Sequence, residues 1–267
     1  MTIDGKTRLI GVIGDPITGV RSPEWFNELF ARQEINAVVV PMAVKAEDLE
    51  STFSGLKRIG NLDGLIVTMP HKGRMSALLD ALGPAAQTLG SVNAVRRMPD
   101  GRWMGDMFDG RGCVEGLREK GHDVSGRSVF VLGVGAAGAA VAFAIAEAGT
   151  KTLVLDDLDR SRVDAVAQCV QAAHPGTRVI VRPIELQADY DFAVNCTPLG
   201  MKTDDPLPFD PEVLPESTVV VDIITKPEMT PLLERAQATG HRIHAGKHMH
   251  AAQAVEAAKF FGFDPSK

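Results

Sequence analysis

The stretch Phe130–Asp157, FVLGVGAAGAAVAFAIAEAGTKTLVLDD, decides how the rest of the chain is read. An apolar run, Ser128 to Leu132, meets glycines at 133, 135 and 138. An alanine-rich helical stretch follows, and a second apolar run, Thr152 to Leu155, ends in acid at Asp156 and Asp157. Each part has a physical role in a dinucleotide site. Gly133 allows a tight strand-to-helix turn, Gly135 lets a pyrophosphate approach the backbone, and Gly138 lets helix and strand pack closely. The N–H groups and positive dipole end of the helix, at Ala136 and Ala137, then face the phosphates. Asp156 stands 18 residues past Gly138 (156 − 138), where an acid accepts hydrogen bonds from the adenosine ribose hydroxyls. Strand before, helix after and acid at the right distance together carry the assignment. The alternative is an ordinary βαβ unit whose glycines serve packing alone.

The chain has 267 residues, long for one compact core and suited to two domains. With 45% hydrophobic and 23% charged residues it reads as a soluble globular protein. A net charge of −6 gives no reason to expect nucleic acid or an anionic membrane surface as a partner. The opening MTIDGKTRLIGVIGD mixes charge with its apolar residues, which predicts neither a secretion signal nor a membrane anchor. Nowhere does an apolar run approach the length of a membrane span. Cys113, Cys169 and Cys196 are odd in number and far apart, which fits reduced thiols in a cytoplasmic protein better than a disulfide framework.

Upstream of the glycines, residues 8–14 read as a buried strand running into the turn Asp15-Pro16. Ser22 is placed to cap a helix with Pro23 at its first position. Ala37 to Val40 predicts a second strand, Ala46 to Leu56 a helix, and Leu62 to Met69 a third strand. That alternation implies a parallel sheet whose functional loops lie beyond the carboxyl ends of its strands. Such a loop presents Lys72, within Thr68-Met69-Pro70-His71-Lys72. Further on, Asn93 stands in a short apolar stretch, and Asp109 precedes a glycine turn and a helix. Later strands are expected at 179–181, 192–195 and 219–223, then a helix over 231–240, a short strand near Ile243 and a tail helix over 249–261. His248 and His250 form an HxH without an acidic or cysteine partner, so no metal is expected. Cys196 reads as a small apolar filler.

Six stretches, taken in order, resemble the shikimate/quinate dehydrogenase family. They are Gly14-Asp15-Pro16-Ile17 with Ser22-Pro23; Val67-Thr68-Met69-Pro70-His71-Lys72; Gly90-Ser91-Val92-Asn93; Gly105 with Asp109-Gly110; Asn195-Cys196-Thr197-Pro198-Leu199-Gly200-Met201; and Thr230-Pro231-Leu232-Leu233 with Gly246, Met249 and Gln253. The resemblance implies a two-lobed α/β protein. A substrate-binding lobe over 1–112, joined by a C-terminal helix over 244–267, would accompany a Rossmann lobe over 113–243. It also implies reversible NAD(P)-dependent oxidation of a ring hydroxyl of shikimate, quinate or a related cyclic hydroxy acid, by a monomer or homodimer. Matched to the family, Lys72 and Asp109 look like the catalytic pair. A base must take the hydroxyl proton while hydride leaves, and a lysine oriented by a carboxylate can do so. Ser22, Thr68, Asn93, Thr225 and Gln253 match substrate-binding positions. Thr197, Ile223, Gly246 and Met249 join the glycine loop, Asp156 and Asp157 as cofactor contacts. Competing readings are a dinucleotide-binding sensor without turnover and a dehydrogenase of a different small alcohol.

The sequence departs from the family pattern in the substrate pocket and at the ribose. Val20 stands where the family usually has serine, Ile66 where it has asparagine, Met107-Phe108 where it has Asn-Thr, and Thr225 where it has tyrosine. Apolar groups facing substrate hydroxyls would weaken shikimate binding. Members using NADP often carry Asn-Arg where this chain has Asp156-Asp157, and two carboxylates repel a 2′-phosphate. NAD is therefore expected over NADP, with Arg160 and Arg162 as the residues able to reverse that preference.

Overall fold

The computed structural model describes residues 3–181, 189–202 and 204–265. Its contacts divide the chain into two units, Met1–Phe108 with Ala254–Lys267, and Asp109–Gln253.

Among the described residues up to Phe108, the first unit holds six strands and four α-helices, joined by the end of the last helix, from Ala254 on. In chain order these are β1 (Arg8–Gly14), α1 (Ser22–Arg32), β2 (Ala37–Ala43), α2 (Leu49–Leu56), β3 (Leu62–Val67), α3 (Lys72–Ser76), β4 (Ala81–Leu82), α4 (Pro84–Leu89), β5 (Ala94–Arg97) and β6 (Trp103–Asp106). They form one sheet in the order β2-β1-β3-β5-β6-β4. Strand residues alternate between two cores, as a period of two requires. Ile10, Val12, Ile66 and Ala94 face Phe26, Leu29 and Phe30 of α1. Ile13, Leu65, Val67 and Val95 face Leu49, Phe53 and Leu56 of α2 and Trp103. Burying each of these large side chains contributes roughly 1.5–3 kcal/mol. A wholly parallel sheet is not what forms. β1 pairs parallel with β2 and β3, but β3–β5 and β5–β6 are antiparallel. The β5–β6 pair is antiparallel because Gly101 at φ 85° closes a hairpin too short for a crossover helix. The helix start also differs. Arg21 is the N-cap residue, Ser22 opens α1, and no side chain caps that end.

The second unit holds α5 (Asp109–Glu119), β7 (Ser128–Leu132), α6 (Ala136–Glu147), β8 (Thr152–Asp156), α7 (Arg160–Ala173), β9 (Arg178–Val181), β10 (Phe192–Asn195), β11 (Val219–Asp222), α8 (Pro231–Ala238), β12 (Arg242–Ala245) and, as far as Gln253, the start of α9 (Gly246–Phe260). The strands run in the order β12-β11-β10-β7-β8-β9, all parallel. This is the doubly wound order of a dinucleotide-binding fold, with the direction of winding reversed between β7 and β10. Both faces are covered. Val129, Val131, Leu153, Leu155 and Val194 enter one core, and Phe130, Val154, Ala193 and Val220 enter the other. Both-face burial explains why these strands read as continuous apolar runs. The last helix opens at Gly246, ahead of the expected 249, and the division between units falls inside it.

Candidate active site

In the first unit, the residues singled out by sequence gather beyond the carboxyl ends of β1 and β3. Thr68 N–H donates to the Ile13 carbonyl at 3.0 Å, and His71 N–H to the Thr68 carbonyl at 2.9 Å. A Cβ on Gly14 would meet Thr68 Cγ2 at 2.3 Å, so only glycine lets the two turns close on each other. His71 is buried, and its Nε2 lies 2.6 Å from the Val44 carbonyl, tying the turn to the segment after β2. Lys72 follows as the first residue of α3, half-buried, and its carbonyl accepts from Val92 N–H at 3.0 Å. Asn93 is buried. Its carbonyl accepts from Val67 N–H at 2.8 Å and its Oδ1 from Phe108 N–H at 2.9 Å. Thr68, Lys72 and Asn93 are thus brought together by backbone hydrogen bonds, with Ser22 opening α1 after the neighbouring strand. Three of the departures from the family pattern share one environment. Ile66 and Phe108 are buried in the apolar cluster of Phe26 and Phe30, and Val20 packs against it.

In the second unit, the glycine turn has the expected shape. Gly133 takes φ 88°, its N–H donates to the Asp156 carbonyl at 2.8 Å, and a Cβ on Gly138 would lie 1.9 Å from the Gly133 carbonyl oxygen. Nothing lies within 4 Å of a Cβ built on Gly135, and no side chain caps α6 there. The first-turn N–H groups at Ala136 and Ala137 are left to hold a phosphate, so the residues present fit a dinucleotide. The two acids after β8 have different partners. Asp157 turns inward, accepting Val134 N–H at 2.7 Å on one oxygen and Asp159 N–H at 3.0 Å on the other. Asp156 is buried and pairs with Arg160. Arg162 lies 3.1 Å from Asp159 and 3.7 Å from Asp157.

Asp109 is the buried first residue of α5. A Cβ on Gly110 would meet the Ala140 carbonyl oxygen at 2.1 Å, so α5 lies directly on α6. Burial, with the Asp109 carboxylate second, pushes the Cys113 thiol up to about 12, and burial also raises Cys196, so both thiols favour the neutral form. Gln253 and Met249 on α9 pack against Gly112 of α5, while Gly246 abuts Ile223 and Ile224. Thr225 follows in the same half-buried turn. Thr197 lies on the glycine turn, its Cγ2 2.8 Å from a Cβ built on Gly133. Among the described residues no group of three or more His, Cys, Asp or Glu is arranged to hold a metal ion, and no helix is long and apolar enough to cross a membrane. Sequence reasoning passed over Asp222, buried at the end of β11. Its one signal is an apolar run ending in acid, the same signal that marks Asp156.

A family model for the shikimate dehydrogenase substrate binding domain matches residues 12–95. A shikimate dehydrogenase (NADP(+)) of Rubrobacter xylanophilus is 39% identical over 269 residues, covering 98% of this chain and 94% of the relative. Among solved structures, shikimate 5-dehydrogenase from Listeria monocytogenes, in complex with shikimate and NAD, superposes with TM-score 0.89 at 29% identity over 98% of this chain and 94% of its own. Quinate dehydrogenase from Corynebacterium glutamicum, in complex with NAD, gives TM-score 0.86 at 29% identity over 97% and 96%. The glycine turn, the lysine loop and the two α/β units occur here with relatives that match along nearly their whole length, and the chain belongs to the shikimate/quinate dehydrogenase family of NAD(P)-dependent oxidoreductases acting on a CH–OH group.

Proposed function

We propose that this protein reversibly oxidises a ring hydroxyl of shikimate, quinate or a related cyclic hydroxy acid, in the cytoplasm, as a monomer or homodimer and with NAD preferred over NADP. The observation that carries the reading is the gathering of Thr68, Lys72 and Asn93 at one strand-end in a chain that also holds a complete dinucleotide turn. When bound, the nicotinamide accepts or returns the hydride. Lys72 takes the hydroxyl proton during oxidation and returns it to the ketone in reduction, with Asp109 supporting its charge. Thr68, Asn93, Ser22, Thr225 and Gln253 bind the acid, and asparagine and glutamine suit neutral hydroxyls because they both donate and accept. The apolar surroundings of Ile66 and Phe108 favour an acid with fewer hydroxyls at that side, since each hydroxyl buried without a partner costs about 1–3 kcal/mol.

Support for NAD comes from the arginines. Arg160 is engaged by Asp156 and Arg162 by Asp159, so the cations best placed for a 2′-phosphate already have carboxylate partners. The test is reduced-nicotinamide formation by the purified protein with shikimate, quinate and related acids, each with NAD and NADP. Turnover with a higher kcat/KM for NAD is the expected result. A higher kcat/KM for NADP overturns the cofactor preference, and dinucleotide binding without turnover on any acid favours the sensor reading.

A further inference from the structure

The second half of the dinucleotide fold contains a buried hydrogen-bonded chain that the family roles above leave unused. Asn195 and Asp222 are the last residues of β10 and β11, stand opposite each other in register, and are fully buried with Thr230. Asp222 receives three donors. Asn195 Nδ2 donates to its Oδ1 at 3.3 Å, Ile224 N–H to the same oxygen at 3.0 Å, and the Thr230 hydroxyl to its Oδ2 at 2.7 Å. Since a carboxylate only accepts, Asn195 must turn its NH2 toward Asp222 and its oxygen away. That oxygen accepts both the backbone N–H of Thr197, at 3.0 Å, and its hydroxyl, at 2.7 Å. The Thr197 hydroxyl in turn accepts Leu199 N–H at 3.2 Å, and Asn195 Nδ2 also donates to the Leu199 carbonyl at 3.2 Å.

One acid therefore sets the direction of every bond in the chain, and the chain ends in turns already placed beside the cofactor loop. Thr197 rests against Gly133, and the carbonyls of Ile223 and Ile224 lie 2.5 and 2.4 Å from a Cβ built on Gly246. With its hydrogen committed to Asn195, the Thr197 hydroxyl has no donor to offer a ligand. Its methyl packs against Gly133 of the cofactor loop instead. Burial raises the pKa of Asp222, and the bonds from Ile224, Thr230 and Asn195 oppose that rise.

We propose that Asp222 is a positioning residue for dinucleotide binding, acting through Asn195 on the turn that carries Thr197 and through Ile224 N–H on the turn that begins at Ile223. The proposal rests on the NAD(P) reading of this unit. Calorimetric titration of the full-length protein with NADH and NADPH tests it. Asp222→Leu, similar in shape but without acceptors, raises the dinucleotide Kd at least about tenfold while the KM for the acid substrate moves by less than about threefold. Asp222→Asn keeps an acceptor toward Asn195 and Ile224 and restores most of the binding. Thr230→Val removes only the cap of α8 and the bond to Oδ2; it lowers Tm but leaves Kd within about threefold. Unchanged binding in Asp222→Leu overturns the proposal, as does an equal loss in Thr230→Val, which would make the network a stability element alone. Should Asp222→Leu fail to fold, Thr197→Val on its half-buried turn decides. A Kd raised about fivefold or more supports positioning, and an unchanged Kd overturns it. A wild-type protein that binds neither dinucleotide overturns the cofactor reading and this one with it.

Discussion

His244 shows how much one buried side chain can govern acid stability. It lies in β12 with the rings of His122 and His248 at 6.0 and 5.1 Å. Burial, then the cationic forms of His248 and His122 and the Lys120 ammonium, lower its pKa from 6.5 to about 4. His122 and His248 are lowered as well, chiefly by burial. The unfolded chain takes up a proton as pH falls through 6.5, whereas folded His244 resists until about 4, so its contribution to stability is present above that window and lost as pH drops through it. Tm should fall steadily over the same interval, and His244→Gln should flatten the slope; an unchanged slope in the variant contradicts the assignment. Asp156 gives a second test. Asp156→Ala releases Arg160 and removes a charge opposed to phosphate, so the ratio of kcat/KM for NADP over NAD should rise by about tenfold or more, and no change would show that Asp156 does not set the preference. Asp156 was legible in the sequence because it ends an apolar run. The inward turn of Asp157 was not, because its partner, Val134 N–H, lies in a loop far back along the chain.

Two glycines of one turn make opposite demands. A methyl on Gly138 would meet backbone, the Gly133 carbonyl oxygen at 1.9 Å, and backbone cannot swing aside as a side chain can. Gly138→Ala should therefore cost on the order of 1–3 kcal/mol of stability, seen as a lower Tm, and should raise the cofactor KM by distorting the turn. A methyl on Gly135 meets no protein atom within 4 Å. Gly135→Ala should keep the wild-type Tm yet raise the cofactor KM if, as proposed, the open space beside it takes the pyrophosphate. An unchanged KM in Gly135→Ala would mean that this turn holds no phosphate. The turn could be read from sequence because its constraints are local. The β5–β6 hairpin was harder to read, since each strand has 4 residues and the Pro99-Asp100-Gly101 turn carries the only strong signal. Missing it hid the mixed character of the first sheet. Ser22 was misplaced by one position because its cap geometry depends on the preceding Arg21, which is itself in a helical conformation.

For the molecule as a whole, two units and their division of labour followed from length, from a strand-and-helix pattern that restarts at Ser128, and from motifs spread along the chain. The polar wiring beneath the motifs did not, because Asn195 and Asp222 meet only when β10 and β11 pair. The catalytic proposal draws one residue from each unit, Lys72 from the first and Asp109 from the second. Residues that act as one proton-transfer device lose function non-additively, whereas independent contributions multiply. The most direct measurement is a double-mutant cycle on kcat/KM for the best acid substrate, with Lys72→Ala, Asp109→Ala and the double variant, each checked for unchanged cofactor Kd. Each single change should lower kcat/KM by about a hundredfold or more, with the double variant within a few-fold of the worse single. Full turnover in either single variant, or losses that multiply in the double, would contradict a shared role for Lys72 and Asp109.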